Sequence, residues 1–585
     1  METAVRKLKT KLKNISTESL LGMISLNFIS TSDYDGSVTN MLTTIMDIPL
    51  KAPQRQLIYL AGLLLTTDEA ANPRHIDRKE FLQILTEIQK ITFKYIEGFV
   101  PSQVIPIDLD KAKRNYVALE AFTSYFDTGL LLYEEQIEEL IITLYSEFDQ
   151  ELSDITGLSI NDYLEFYRLL HTALSNTVQR MTDARDIIGQ DYNRKPDSGK
   201  MQAAYRQLFE AITSLNRIAV EDIERKFGEE KTEKLLLLFA LKREEKEFLY
   251  YNGDNPFSKK PLCWINDSTL FVVSPILVLN SIYNHIMDTI DNPTNKFHAK
   301  ATISKGNIVE EQFYKTFEKI FQGKAKIYRS VCEKPGTLEH DFLIESGNYI
   351  LVAEAKASKV REPFFNPEKS YPRIKDHFFS ASGIGGAYEQ ACSLISLLQS
   401  CDDITLYQNK KIKFSLNNLH NKTMVPIVLT LNNFGGIAIN TSFLIVPEEN
   451  FSYPWVCSLP DFQNLFKMIR FLNKSSNDFV EYVLWRSKNH KNIYSGDELD
   501  VAEAYFTDPS VKNISNAQFF ISDGNDDLID TIYYQEKGIL STNRRVITSA
   551  QPYIRNKPRI YPNDLCPCGS GRKFKRCHKG QGIYD

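Results

Sequence analysis

No apolar stretch in the 585-residue chain is long enough to cross a bilayer. The longest, around Leu235 to Leu241, falls far short of the roughly 18–20 residues a transmembrane helix needs, so no span is expected. The N-terminus, Met-Glu-Thr-Ala-Val-Arg-Lys, has no apolar h-region, so no secretory signal is expected and the expected address is cytoplasmic. Cysteine is scarce, with 8 in the whole chain, which excludes a disulfide scaffold. There is no GxxxxGK[ST] phosphate loop, which argues against an ATP motor, and no HExxH or GxSxG. The formal charge of −5 gives no global basic field. What is present is ordinary for folded protein: 43% apolar and 24% charged residues, with 26 Gly and 23 Pro. At roughly 100–200 residues per domain, such a chain holds about three or four domains.

The pattern changes along the chain. Residues 1–245 read as helical. After Ser159, apolar side chains at Tyr163, Phe166, Tyr167, Leu170, Leu174, Val178 and Met181 recur at three- and four-residue steps. Residues 246–299 read as a hairpin and helix connector, with a strand at 270–273 and a boundary near Asn292-Pro293. From 300 to 447 helices alternate with β-rich runs, which predicts an α/β domain. The expected elements are helices near 307–321 and 386–399 and strands near 325–331, 340–345, 348–356, 425–431 and 437–446. Residues 448–540 return to helical periodicity, with helices at 460–472 and 478–486. A basic linker follows at 541–560 and a small cysteine-bearing module at 561–580. The fold class expected is therefore multidomain, α/β plus α.

One stretch carries chemistry. Residues 338–358 read as a hairpin turning at Ser346-Gly347-Asn348. Period two places Ile350, Val352, Glu354 and Lys356 on one face, so a carboxylate and an ammonium leave the end of an otherwise apolar strand side by side. Asp341 lies across the hairpin from that end. Burying such groups is costly unless something charged occupies the site. Two converging carboxylates suit a hard divalent cation, with the lysine positioned to act on a water. Other Glu-x-Lys pairs, Glu224/Lys226, Glu229/Lys231 and Glu244/Lys246, lie on polar helical segments and read as solvated faces.

The order of parts is a helix with Glu310, a strand, a strand with Asp341, a strand with Glu354-x-Lys356, then a helix with Tyr388 and Gln390. It resembles the PD-(D/E)xK nuclease superfamily, the restriction-endonuclease-like fold, over residues 300–447. The resemblance implies a Mg²⁺- or Mn²⁺-dependent phosphodiesterase. In it Asp341 and Glu354 ligate the metal, Lys356 stabilises the attacking hydroxide or the transition-state charge, Glu310 is an accessory ligand, and Gln390 orients substrate or water. His340 stands where the superfamily's name has Pro. Glu311 is the alternative to Glu310, which shares a helix face with Phe313, Tyr314 and Phe317. Between Lys356 and Gln390 lies an insertion rich in rings (Phe364, Phe365, Tyr371, Phe378, Phe379) and bases (Lys359, Arg361, Lys369, Arg373, Lys375). It reads either as a nucleic-acid groove or as packing onto the sheet. The Gly383-Ile-Gly-Gly386 turn opens the Gln390 helix, where free N–H groups accept a phosphate or merely make the turn.

The tail is basic: from Ser541 onward ten Lys/Arg face only Asp564 and Asp585. Cys566, Cys568, Cys577 and His578 flank a Gly-Ser-Gly turn, a ligand set for a closed, structural zinc site. Arg572, Lys573, Lys575, Arg576 and Lys579 offset the thiolate charge. The tail closely resembles the SEC-C motif found at the end of the preprotein translocase ATPase, where it docks a partner. The remaining cysteines, Cys263, Cys332, Cys392, Cys401 and Cys457, sit in apolar contexts expected of core residues. The basic run Arg6 to Lys13 reads as a solvated helix face.

The function expected is a bacterial-type cytoplasmic nuclease acting on nucleic acid, DNA in preference to RNA, with a zinc knuckle for recruitment. A role in host defence enters by analogy of architecture. The alternative is a non-catalytic adaptor with a degenerate nuclease fold that binds a protein partner through the SEC-C motif.

Overall fold

The structure, a computed structural model, describes residues 1–32, 50, 53–97, 109–127, 133–192, 199–200, 202–204, 206–207, 216–251, 254–357, 367–513, 518–521 and 527–537. The cysteine tail, most of the loop at 190–200 and part of the insertion after Lys356 lie outside the described residues. No described helix is long and apolar enough to cross a membrane.

The N-terminal region is built of helices. Those at Glu2–Leu12, Thr17–Ser32, Pro53–Leu65 and Arg78–Glu97 bury Val5, Leu8, Leu21, Leu60, Leu64, Phe81 and Leu85 together. The basic face of the first helix is neutralised locally, with Arg6 on Glu247, Lys11 on Glu87 and Lys13 on Glu245. The helix Ile160–Tyr192 starts at a reciprocal cap in which the Asp162 N–H donates to Ser159 Oγ and the Ser159 N–H donates to Asp162 Oδ2. A small sheet follows: β1 (Arg217–Ala219), β2 (Ala240–Leu241), β3 (Leu262–Asn266) and β4 (Thr269–Val272), in the order β1-β4-β3-β2. Packing is continuous across residues 245 and 299. Phe248, Tyr251, Cys263 and Leu277 join the N-terminal core, while a second core runs from Ile137 to Ile532.

Seven described strands form the central sheet: β5 (Lys326–Cys332), β6 (His340–Ser346), β7 (Tyr349–Lys356), β8 (Ile404–Gln408), β9 (Ile412–Leu416), β10 (Thr423–Thr430) and β11 (Trp455–Ser458). Their order is β11-β10-β7-β6-β5-β8-β9. β5, β6 and β7 run antiparallel in turn, whereas β10 pairs parallel with β7 and β11 parallel with β10. Helices cover both faces. Phe342, Ile344, Leu351 and Ala353 pack with Val309, Phe313 and Phe317 of the helix His298–Phe321. Leu343, Ile350 and Val352 pack with Ala391, Leu394 and Leu398 of the helix Ile384–Gln399.

β1 and β2 fall within residues 1–245, which read as helical, and two features of the central sheet also differ from the sequence expectation. The strand expected at 437–446 is instead a turn of helix, Gly436–Ile439, and a single turn, Thr441–Phe443. Gly435 at φ 58° redirects the chain there, and the Asn440 side chain caps the next turn through the Ser442 N–H. The next parallel strand comes later, as β11. The β8–β9 hairpin is additional, closed by Asn409 and Lys410, both with positive φ.

The C-terminal helices are tied to β11 by a buried cluster. Glu498 accepts from Trp455 Nε1 (2.7 Å), from the Tyr482 hydroxyl and from Arg486 Nη2 (2.8 Å), and Arg486 is 0% exposed. Residues far apart in sequence also meet: the Tyr133 ring stacks on Tyr533 at 3.8 Å, and the Tyr533 hydroxyl donates to Glu135 (2.7 Å). Breaking a buried pair strands its partner's charge, at about 3–5 kcal/mol. Arg486→Met is therefore expected to lower the thermal midpoint sharply, and Glu498→Gln added to it to recover part of the loss. Equal destabilisation by the single and double variants, in calorimetric scans, would show that the charge of Glu498 is not what the arginine satisfies.

Candidate active site

At the C-terminal end of β7 the sheet changes character. The apolar residues Ile350 and Val352 give way on the same face to Glu354 and Lys356. The β6–β7 register pairs Phe342 with Ala353 and Leu343 with Val352, which carries Asp341 to the same end of the hairpin. Asp341 Oδ2 accepts the Ala355 N–H at 2.7 Å. Lys356 Nζ donates to Gln390 Oε1 at 2.6 Å, so the helix behind the sheet fixes the ammonium. Glu354 is 0% exposed; its Oε1 lies 2.7 Å from His340 Nδ1, and its Oε2 is buried with no hydrogen-bond partner.

The fields of these groups overlap. Burial, then the charges of Glu354 and Glu310, push the Asp341 carboxyl up to about 8, against the pull of the Ala355 N–H and Lys356. Burial also raises the Glu310 carboxyl, with Glu339 and Glu354 adding to the effect and Arg329 and Lys356 opposing it. Glu311 turns instead to Arg329, at 2.7 Å, whose guanidinium covers the Tyr314 ring. The structure thus brings Asp341, Glu354, Lys356 and Gln390 together and sets Glu310, rather than Glu311, in their field.

The donor set is small. Among the described residues no group of three or more His, Cys, Asp or Glu side chains is arranged to hold a metal ion. Asp341 and Glu354 are the two oxygen donors suited to a hard cation here. Two features fit such an ion: the unpartnered Glu354 Oε2, and an Asp341 carboxyl pushed up to about 8 by burial and then by neighbouring negative charge, which a cation would offset.

Several of the surrounding residues are packed, while Phe379 is 37% exposed. A Cβ on Gly383 would lie 2.2 Å from the His377 carbonyl oxygen, and one on Gly386 2.3 Å from that of Ser380, so these glycines admit a close approach of backbone. Phe378 is buried with Ile384, Ala387, Tyr388 and Val428. Tyr371 lies under Arg114 of the helix Leu109–Asp127, whose Val117 and Ala121 pack on Ile374 of the helix Pro367–Phe378. Phe364, Phe365, Lys359 and Arg361 lie outside the described residues. Burial pushes the Cys263 thiol up to about 12 and Cys392 up to about 11, and raises Cys457, which leaves them poor nucleophiles. What sequence reasoning missed is the contact of His340 with Glu354. Its only signal was a titratable residue at the first position of a strand otherwise apolar on alternate sites.

Comparison with known proteins concerns the tail. The SEC-C motif matches residues 563–579, a span that holds Cys566, Cys568, Cys577 and His578 and lies outside the described residues. The chain is 32% identical over 88 residues to the protein translocase subunit SecA of Herminiimonas arsenicoxydans, covering 15% of this chain and 8% of that one. It is 62% identical over 29 residues to the SecA subunit of Chromohalobacter salexigens, covering 5% and 3%. The match to that of Coxiella burnetii is 50% over 30 residues, again 5% and 3%. The chain thus spans less than a tenth of the length of these curated relatives. No solved structure matches it.

The raised Asp341 carboxyl has a sign that calorimetry can read. Its folded form keeps a proton that the unfolded chain releases between about pH 4 and pH 8, so this group's contribution to stability falls as pH rises through that window. Asp341→Asn, which keeps an acceptor for Ala355, is expected to gain thermal stability over wild type by several degrees at pH 8 and little at pH 4.5, in chelated buffer. Parallel melting curves for the two proteins across that range would refute it.

Proposed function

We propose that the chain is a metal-dependent nuclease whose reaction centre is the end of β7. The observation that carries the reading is the convergence of Asp341, Glu354 and a Gln390-held Lys356, with one Glu354 oxygen buried and unpartnered. The order of elements supports it: a helix bearing Glu310, three strands paired antiparallel in turn, a helix on the opposite face bearing Gln390, then a strand parallel to β7.

Asp341 and Glu354 would hold Mg²⁺ or Mn²⁺. Bound there, the cation supplies Lewis-acid polarisation of a phosphoryl oxygen and lowers the pKa of a coordinated water. The chain's own residues do the rest. Apolar packing on both faces of the sheet excludes bulk water from the carboxylates, which strengthens their interaction with a cation. Lys356 sets a positive charge beside them, where negative charge develops on the attacked phosphate, and Gln390 removes its freedom to swing away. Glu310 reaches the same field from the opposite layer and serves as the accessory carboxylate.

The tail adds recruitment. Cys566, Cys568, Cys577 and His578 would close a structural Zn²⁺ site, and the basic residues around them suit a nucleic acid or an acidic protein surface. The SEC-C match favours a second reading, an adaptor that docks a protein partner through the tail and performs no chemistry. A role against foreign DNA is an analogy of architecture.

Cleavage assays separate these readings. Full-length protein with Mg²⁺ or Mn²⁺ is expected to cut single- or double-stranded DNA or RNA. Asp341→Ala and Glu354→Ala should abolish cutting, and Lys356→Ala should slow it by about 10²–10³ while the metal still binds. Folded, metal-replete protein inert on all four substrates would leave the adaptor. For the tail, elemental analysis should find one zinc per chain, lost in the Cys566→Ser, Cys568→Ser double variant, with turnover of a short oligonucleotide retained. If that variant loses turnover of the short substrate, the knuckle is part of the catalytic unit.

A further inference from the structure

We infer that His340 is a positioning residue for cation binding, clamping one oxygen of Glu354 so that the other points at the ion; this rests on the nuclease reading above. His340 opens β6 and is 5% exposed, and its Nδ1 meets Glu354 Oε1 at 2.7 Å. A carboxylate that ligates a cation only accepts, so the clamp uses the tautomer in which Nδ1 is the donor. Glutamate has three side-chain torsions, and a fixed donor on one oxygen removes the last of them, the rotation that aims the second oxygen. That second oxygen is buried without a hydrogen-bond partner, and its carboxylate acts electrostatically on Asp341, whose own Oδ2 is fixed by the Ala355 N–H. Both carboxylates are thus held at one oxygen by a protein donor. This is the arrangement by which partners behind metal ligands orient them, and losing such a partner typically costs roughly 10–100-fold in metal affinity.

The bond comes from the nitrogen next to the ring's Cγ, which gives the inference a stereochemical signature. Asparagine places Nδ2 close to where histidine places Nδ1, whereas glutamine places its amide one bond further out. A residue that only fills space in the core has no reason to prefer one amide over the other.

The test titrates Mn²⁺ alone into the full-length chain by calorimetry, with thermal unfolding run beside it. His340→Ala and His340→Gln are expected to weaken Mn²⁺ by about 10–100-fold. His340→Asn should stay within a few-fold of wild type, and saturating Mn²⁺ should restore much of the cleavage rate of His340→Ala. If His340→Ala does not fold, the Asn and Gln variants decide. Equal Mn²⁺ affinity in all variants and wild type, or equal loss in Asn and Gln, would overturn the role of His340 while leaving wild-type cleavage, and so the nuclease reading, standing. Wild-type protein that neither binds Mn²⁺ nor cleaves would remove both.

Discussion

Charge held at the end of an apolar sheet is the constraint around which the central sheet and its helices are arranged. Glu354 has no solvent exposure, and Glu310 and Asp341 share its field. Carboxylates prefer water by several kcal/mol, so such a group stays inside only where its surroundings leave it no exit. The exits are closed by packing: Ile350 and Val352 are locked under one helix, and Leu351 and Ala353 under the other. A slip of one residue in β7 would turn every side chain to the wrong layer, so the apolar alternation fixes where Glu354 and Lys356 emerge. Parallel pairing of β7 with β10, in which Glu354 lies against Val428 and Lys356 against Thr430, holds that register from the other side.

This dependence explains why the central hairpin was legible in the sequence. Alternation from Tyr349 to Lys356 and a glycine turn at Gly347, φ 57°, are local signals, and they suffice to place Asp341, Glu354 and Lys356. The choice of Glu310 over Glu311 was legible only as a shared face with Phe313 and Phe317. What separates the two in space is Arg329, on a different element, which takes Glu311. The β8–β9 hairpin escaped because Tyr-Gln-Asn-Lys-Lys-Ile-Lys-Phe carries little apolar alternation and turns through a lysine at positive φ. Four buried residues from Trp455 make a strand too short to distinguish by pattern, whereas Ile437-Ala-Ile439 had β-like composition and folded as a helical turn behind two glycines. His340 was invisible for another reason: its bond to Glu354 is a relation between strands, and nothing in its neighbours announces it.

The N-terminal helices are not a detached appendage. Val117 and Ala121 pack against Ile374 in the segment between Lys356 and Gln390, and Ile137 to Leu170 share the core that contains Phe313, Ile344 and Trp455. Helices on either side of the sheet therefore owe part of their burial to residues far away in the chain. A fragment cut at the apparent edges of the α/β region would expose apolar surface that the full protein covers.

The stacking of Tyr133 on Tyr533 carries a consequence for how the protein is made. Glu135 and its partner Tyr533 are separated by 398 residues. At roughly 5–20 residues per second, a ribosome delivers the second about 20–80 s after the first. During that interval the helix Glu134–Tyr145 has left the ribosome with part of its final contact surface still unmade, and synthesis order, not only stability, sets how long that surface stays open to chaperones or to other nascent chains.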